Sequence, residues 1–141
     1  MNKEIGLEEW EKTVPRCMQL DPLWRSVQYR LAMYLYDLAW LDCITLRQDF
    51  RGREIVSQLV RSVGGICANM EESYGRGLGT PDNTRILRIA LGETREVQGW
   101  YFRARHILSD DLIERRINVI DQIIRLLVNH INRQRKALPN P

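Results

Sequence analysis

Four stretches of this chain place apolar residues every three or four positions, and that periodicity limits the fold more than any other feature. Such spacing lines up one stripe of an α-helix, and the stripe has to be covered. The second stretch is the cleanest: Ile55, Val56, Leu59, Val60, Val63, Ile66, Cys67, Met70 and Tyr74. Leu23, Trp24, Val27, Leu31, Tyr34, Leu35, Leu38 and Leu41 form the first. The third inner face reads Ile86, Leu87, Ile89, Ala90, Val97, Trp100, Tyr101, Ala104, Ile107 and Leu108. The fourth carries Ile113, Ile117, Ile120, Ile123, Ile124, Leu127, Val128 and Ile131. No segment alternates convincingly with period two, so no sheet is expected.

Start signals agree with the stripes. Asp21 before Pro22, Asp49, Thr80 before Pro81, and Ser109 before Asp110 and Asp111 are all suited to helix N-termini. Helices of about 25 residues are roughly 37 Å long, and short connections make neighbours antiparallel. The chain is therefore predicted to be all-α: an antiparallel up-down-up-down four-helix bundle over residues 21–137. Residues 1–20 are an N-terminal extension with one short helix from Leu7 to Thr13. The terminal "ALPNP" stops the last helix with two prolines.

At 141 residues the chain fits one domain with a real core. No apolar run approaches the roughly 18 residues of a membrane span. The polar start "MNKEIGLEEWEKTVPRC" lacks the apolar stretch of a secretory signal. Cys17, Cys43 and Cys67 are odd in number and widely spaced, which argues against a disulfide framework or zinc ribbon and suits a reducing cytoplasm. Net charge is +3, and Lys3, Lys12 and Lys136 are the only lysines among 21 basic residues, so 18 are arginine. Arginine forks suit carboxylate or phosphate, and a GC-rich genome produces the same bias.

"ANMEESYGRGLGTPDN", Ala68 to Asn83, resembles a phosphate-cradling loop at first sight. Such loops need a strand feeding a helix N-terminus. Here a helix precedes the glycines and no Gly-Lys-Ser/Thr follows, so the stretch reads as a corner between helices. Gly64-Gly65 interrupts the second helix and predicts a bend or a close helix approach.

The stretch "QLVRSVGGICANMEESYGRG" also carries a family signature. It resembles the Q-L-x-R-[AS]-x-x-S-I-x-x-N-I-x-E-G-x-G-R helix of the four-helix-bundle proteins encoded in intervening sequences of bacterial 23S ribosomal RNA genes. Gln58, Leu59, Arg61, Ser62, Ile66, Asn69, Glu72, Gly75 and Arg76 match it. Downstream, Ile89, Ala90, Gly92 and Glu96 match a second motif, F-L-x-I-A-x-G-S-x-x-E-L. Gly65, Cys67, Ser73 and Glu93 stand where the family has serine, proline, glycine and serine. The resemblance covers roughly residues 22 to 135. It implies a cyclic homo-oligomer, typically a pentamer, with a basic surface. It also implies a likeness in fold to the accessory variability proteins of diversity-generating retroelements, which assist a reverse transcriptase and bind nucleic acid.

Neither a metal site nor a catalytic constellation is expected. His106 and His130 lie far apart, and no Glu-x-x-His pair serves Glu72, Glu93 and Glu96. No cofactor is implied. Arg61, Asn69, Glu72 and Glu96 are polar residues beside apolar faces, read as a network fixing helix register, with a recognition pocket as the alternative. Sorted by bundle end, Arg25, Arg30, Arg76, Arg85, Arg88, Arg133, Arg135 and Lys136 face only Asp21, Glu71, Glu72 and Asp82. The opposite end sets Arg47, Arg51, Arg53, Arg103, Arg105, Arg115 and Arg116 against Asp42, Asp49, Glu54, Asp110, Asp111 and Glu114. The first end is the candidate phosphate surface; ordinary surface ion pairs are the alternative. Tyr29, Tyr36 and Trp40 fall off the inner stripe and are candidate interface anchors. The expectation is a non-enzymatic oligomeric bundle that binds structured RNA or DNA, as accessory to a reverse transcriptase or ribonucleoprotein. The alternative is a scaffold for an acidic protein.

Overall fold

The computed structural model describes residues 1–137, and the terminal prolines lie outside that range. The chain is all-helical, with no strand among the described residues. Two short helices, α1 (Leu7–Glu11) and α2 (Arg16–Gln19), precede a 3-10 turn, Pro22–Arg25. Four long helices follow: α3 (Val27–Leu46), α4 (Phe50–Gly75), α5 (Pro81–Arg103) and α6 (Asp110–Ala137). Their inward faces meet in one core that includes Leu35, Leu38, Leu59, Val63, Ile66, Val97, Tyr101, Ile120, Ile123 and Leu127.

Contacts between consecutive helices run in opposite senses along the chain. Tyr29 donates its hydroxyl to Glu71 at 2.7 Å, while further along α3 the ring of Tyr36 lies over Gly64. Across α4 and α5, Arg61 meets Glu96, Gly65 meets Glu93, and the Asn83 amide donates to the Ser73 carbonyl at 2.6 Å. Thr84 and Asn83 of α5 both reach Gln134 of α6. A Cβ on Gly65 would lie 3.0 Å from the Glu93 carboxyl carbon, and the helix there is unbroken. Gly65 therefore leaves room for the close approach of the Glu93 carboxyl, while a Cβ on Gly64 would meet only the Tyr36 ring, at an ordinary 3.5 Å.

Local caps explain the helix starts. Asp49, Thr80 and Ser109 accept from Arg51 N, Asn83 N and Leu112 N. Asp21 caps as expected, with Leu23 N at 2.8 Å, yet it opens only the 3-10 turn. Ser26, in extended conformation, breaks the turn and caps α3 itself. The third helix also ends earlier than its apolar pattern, passing into a 3-10 turn at Ala104–His106 before Ile107 and Leu108. Ile89, assigned to the inner stripe, is exposed. The corner after α4 uses two left-handed glycines, Gly77 (φ +89°) and Gly79 (φ +76°). It is a turn and holds no strand.

The N-terminal segment is part of the core. Trp10 is buried, stacks on Trp24 at 6.1 Å, meets Tyr34 at 5.4 Å, and donates its indole N–H to Asp37 at 2.7 Å. Trp24 in turn meets Tyr29 edge-on at 6.1 Å. These rings cover a second face of α3, so Tyr29 is buried and is not an interface anchor. Tyr36 is half-buried and stacked on Trp40, while Trp40 and Ile44 remain exposed.

One buried charge cluster joins four segments. Arg116 of α6 is 2 % exposed and forks onto both carboxylate oxygens of Asp42 in α3, at 2.8 and 3.0 Å. Its terminal nitrogens reach Glu4 at 2.9 and 3.0 Å, and the buried Tyr101 hydroxyl of α5 donates to Asp42 at 2.7 Å. Burial opposes the Arg116 charge, but the hydrogen bonds to Asp42 and Glu4 outweigh it and raise the pKa. The Arg116 hydrogen bonds hold Glu4 below its ordinary range, and burial followed by the Asp42 charge pushes Tyr101 up. Arg116 and Asp42, which the charge census placed on a surface, are thus interior. Removing one partner strands a buried charge, so Asp42→Ala is expected to cost about 3–5 kcal/mol in urea unfolding. A loss below about 1 kcal/mol would show the cluster to be superficial.

Candidate nucleic-acid interface

The end where α3 and α5 begin and α4 and α6 finish carries all eight predicted basic residues, but they differ in availability. Arg25, Arg88, Arg133, Arg135 and Lys136 are exposed, and none has a carboxylate within 4.0 Å among the described residues. Arg76 bridges Glu72 at 2.7 Å and Asp82 at 3.2 Å, and Arg85 shares Asp82 at 2.9 Å. These pairs are open to solvent, and exposed pairs contribute little, so phosphate can compete for either arginine. Arg30 is different: it is half-buried and bonded to Glu11 at 3.2 Å. Glu11 comes from the extension, whose acids the sequence census had left out.

The proposed polar network separates into three pieces. Arg61 pairs with Glu96, donates to Gln58 Oε1 at 3.1 Å, and lies 3.9 Å from Glu93. Glu96 also receives the Trp100 indole N–H at 3.4 Å. Burial, with the Glu96 charge second, raises the Glu93 pKa. Glu93 Oε2 is buried without a hydrogen-bond partner among the described residues, the Arg61 guanidinium at 3.9 Å being too far to donate. Asn69 bonds back to the Gly65 carbonyl of its own helix at 2.9 Å, and Glu72 joins the Arg76 cluster. Arg61 and Glu96 tie α4 to α5; the other two do not join them.

A cleft of about 480 Å³ opens among the start of α3, the ends of α4 and α6, and the first turns of α5. Arg25 and Arg133 line it together with Val27, Tyr74, Leu78 and His130. Beside it runs a polar chain that the sequence reading missed, because its members are scattered over three helices. Asn83 Nδ2 donates to the Ser73 carbonyl, which can only accept, and this fixes the Asn83 orientation. Asn83 Oδ1 then accepts from Gln134 Nε2 at 2.8 Å, and Gln134 Oε1 accepts from Thr84 at 2.7 Å. The second Gln134 N–H faces His130 Nε2 at 3.0 Å. That nitrogen must accept, so the proton of the neutral ring sits on Nδ1.

Burial, assisted by the Arg133 charge, lowers the His130 pKa below its ordinary 6.5. The unfolded chain binds this proton first as pH falls through 6.5, so the stability from neutral His130 is present above that value. It is lost as pH drops toward the lower folded pKa. Urea midpoints of the wild-type chain are expected to fall between about pH 7.5 and pH 5.5, and those of His130→Leu to stay level by comparison. Parallel profiles would refute the assignment.

The remaining chemistry is quiet. No group of three or more metal-ligating side chains gathers among the described residues, and no described helix is long and apolar enough to cross a membrane. All three cysteines are free; burial pushes the Cys67 thiol up to about 12 and Cys43 up to about 11. No curated protein and no solved structure matches the chain. The family described as 23S rRNA-intervening sequence protein matches residues 29–129, from the first turn of α3 to the penultimate turns of α6. Both signature motifs and the α4–α5 contact made by Arg61 and Glu96 lie inside that match. The chain belongs to the 23S rRNA-intervening sequence protein family.

Proposed function

We infer that this protein is a non-enzymatic up-down-up-down four-helix bundle that assembles with copies of itself and binds nucleic acid at its arginine-rich end. One observation carries the reading: Arg25, Arg88, Arg133, Arg135 and Lys136 share that end, exposed and without carboxylate partners among the described residues. Contact to phosphate by such a surface depends on charge and shape. No recognition helix accompanies it among the described residues, so structured RNA or DNA would be bound without base readout. Service as an accessory to a reverse transcriptase or ribonucleoprotein fits the same surface.

Self-assembly is supported by α3. That helix is covered on its core side and by Trp10 and Trp24, yet it still exposes Trp40 and Ile44 one turn apart beside Tyr36. Large aromatics left in water favour burial in an interface. A ring of five would repeat the basic end around one axis and multiply its charge.

Titration with duplex DNA, single strands and structured RNA at several salt concentrations tests the binding. Affinity should fall log-linearly with salt, and Arg88→Ala/Arg133→Ala/Arg135→Ala should make the slope shallower by about 2–3. No binding at low salt would favour a scaffold that meets an acidic protein. Light scattering should return a multiple of 16.6 kDa, five-fold for the ring, and Trp40→Glu/Ile44→Glu should reduce it to 16.6 kDa. A wild-type monomer would remove the assembly.

A further inference from the structure

The cleft at the basic end has a chemistry that phosphate contact alone does not use. Its volume of about 480 Å³ falls within the range of ligand sites. Leu23, Val27, Leu87 and Leu126 give it apolar walls, and Tyr74 adds an aromatic ring. Arg25 and Arg133 supply two guanidiniums without carboxylate partners among the described residues. His130 supplies a neutral ring whose Nδ1–H, fixed by the Gln134 contact, has no partner among the described residues.

These features narrow the occupant. A purely apolar ligand would desolvate two guanidiniums and an N–H donor without replacing their water. A bare phosphate would gain nothing from the apolar walls. The set suits a flat ring that carries hydrogen-bond acceptors and is joined to an anion. We propose that the cleft receives one unpaired nucleotide, its base beside Tyr74, Leu78 and His130 and its phosphate on Arg25 and Arg133. The assignment rests on the nucleic-acid reading above and deepens it: the bound RNA would be held at a strand end or an unpaired position. Stacking of this kind tolerates any base, so the cleft adds a preference for unpaired structure and not for sequence.

The test compares blunt duplex RNA with the same duplex bearing a short single-stranded overhang, by fluorescence anisotropy on the full chain. The overhang is expected to bind about tenfold tighter. Val27→Trp, which fills the cleft and keeps every arginine, should bring the overhang down to the blunt level, and Tyr74→Ala should lower the advantage. Circular dichroism confirms that both variants are folded. Equal wild-type affinity for the two RNAs overturns the cleft assignment and leaves phosphate binding standing. Absence of binding to either takes down both. An overhang advantage that survives both substitutions also overturns it. Competition separates the sources of the ligand: adenosine monophosphate erasing the advantage admits a free nucleotide, and its failure restricts the cleft to strands. Erasure by inorganic phosphate at matched ionic strength would overturn any role for the base.

Discussion

The fold turns on one buried arginine. Arg116 is a charge that water cannot reach, so every segment that satisfies it is held in place: Glu4 from the N-terminus and Asp42 from α3, with Tyr101 of α5 bonded to the same Asp42 oxygen. A hydrophobic core tolerates small slips of one helix along another, because dispersion contacts can be exchanged. A two-pronged guanidinium does not, since a slip of one residue would leave a desolvated carboxylate or N–H unpaired. The cluster sits toward the end of the molecule opposite the cleft, so the register is pinned at one end and the open chemistry lies at the other.

The two ends differ less in the number of charges than in what those charges touch. Asp42 is consumed in the interior and Asp49 caps α4 while holding Arg51 at 2.8 Å, so neither acts as a free surface acid. At the basic end, Glu72 and Asp82 occupy Arg76 and Arg85, and Glu11 occupies Arg30. The arginines and lysine left over cluster on the last turns of α6, the 3-10 turn and the outer face of α5. Counting charges along a sequence weights all of them alike; their neighbours decide which can meet a ligand.

Helix existence and most N-caps were legible because both are local: stripes at Leu59, Val63 and Ile66, and oxygens at Asp49, Thr80 and Ser109. The interruption at Ser26 was not, since Asp21-Pro22 offers an equally good start five residues earlier. Its position is set by Trp24 turning toward Trp10, a contact across the chain that no local rule contains. The same contact explains Tyr29, which falls off the core stripe but is covered from the other side. For the site, residue types and the end of the molecule were readable. The cleft and the Ser73–Asn83–Gln134–His130 chain were not, because the members of that chain are separated by up to sixty-one positions, those of the cleft by more, and they meet only after the helices align.

The N-terminal segment carries a consequence for where this protein may be cut. Similarity to the family begins at residue 29, inside the first turn of α3. A chain trimmed to that boundary would lose Trp10, Trp24 and Glu4 together, baring one flank of α3 and leaving Arg116 with Asp42 alone. The span that matches the family is therefore shorter than the unit that packs into this core.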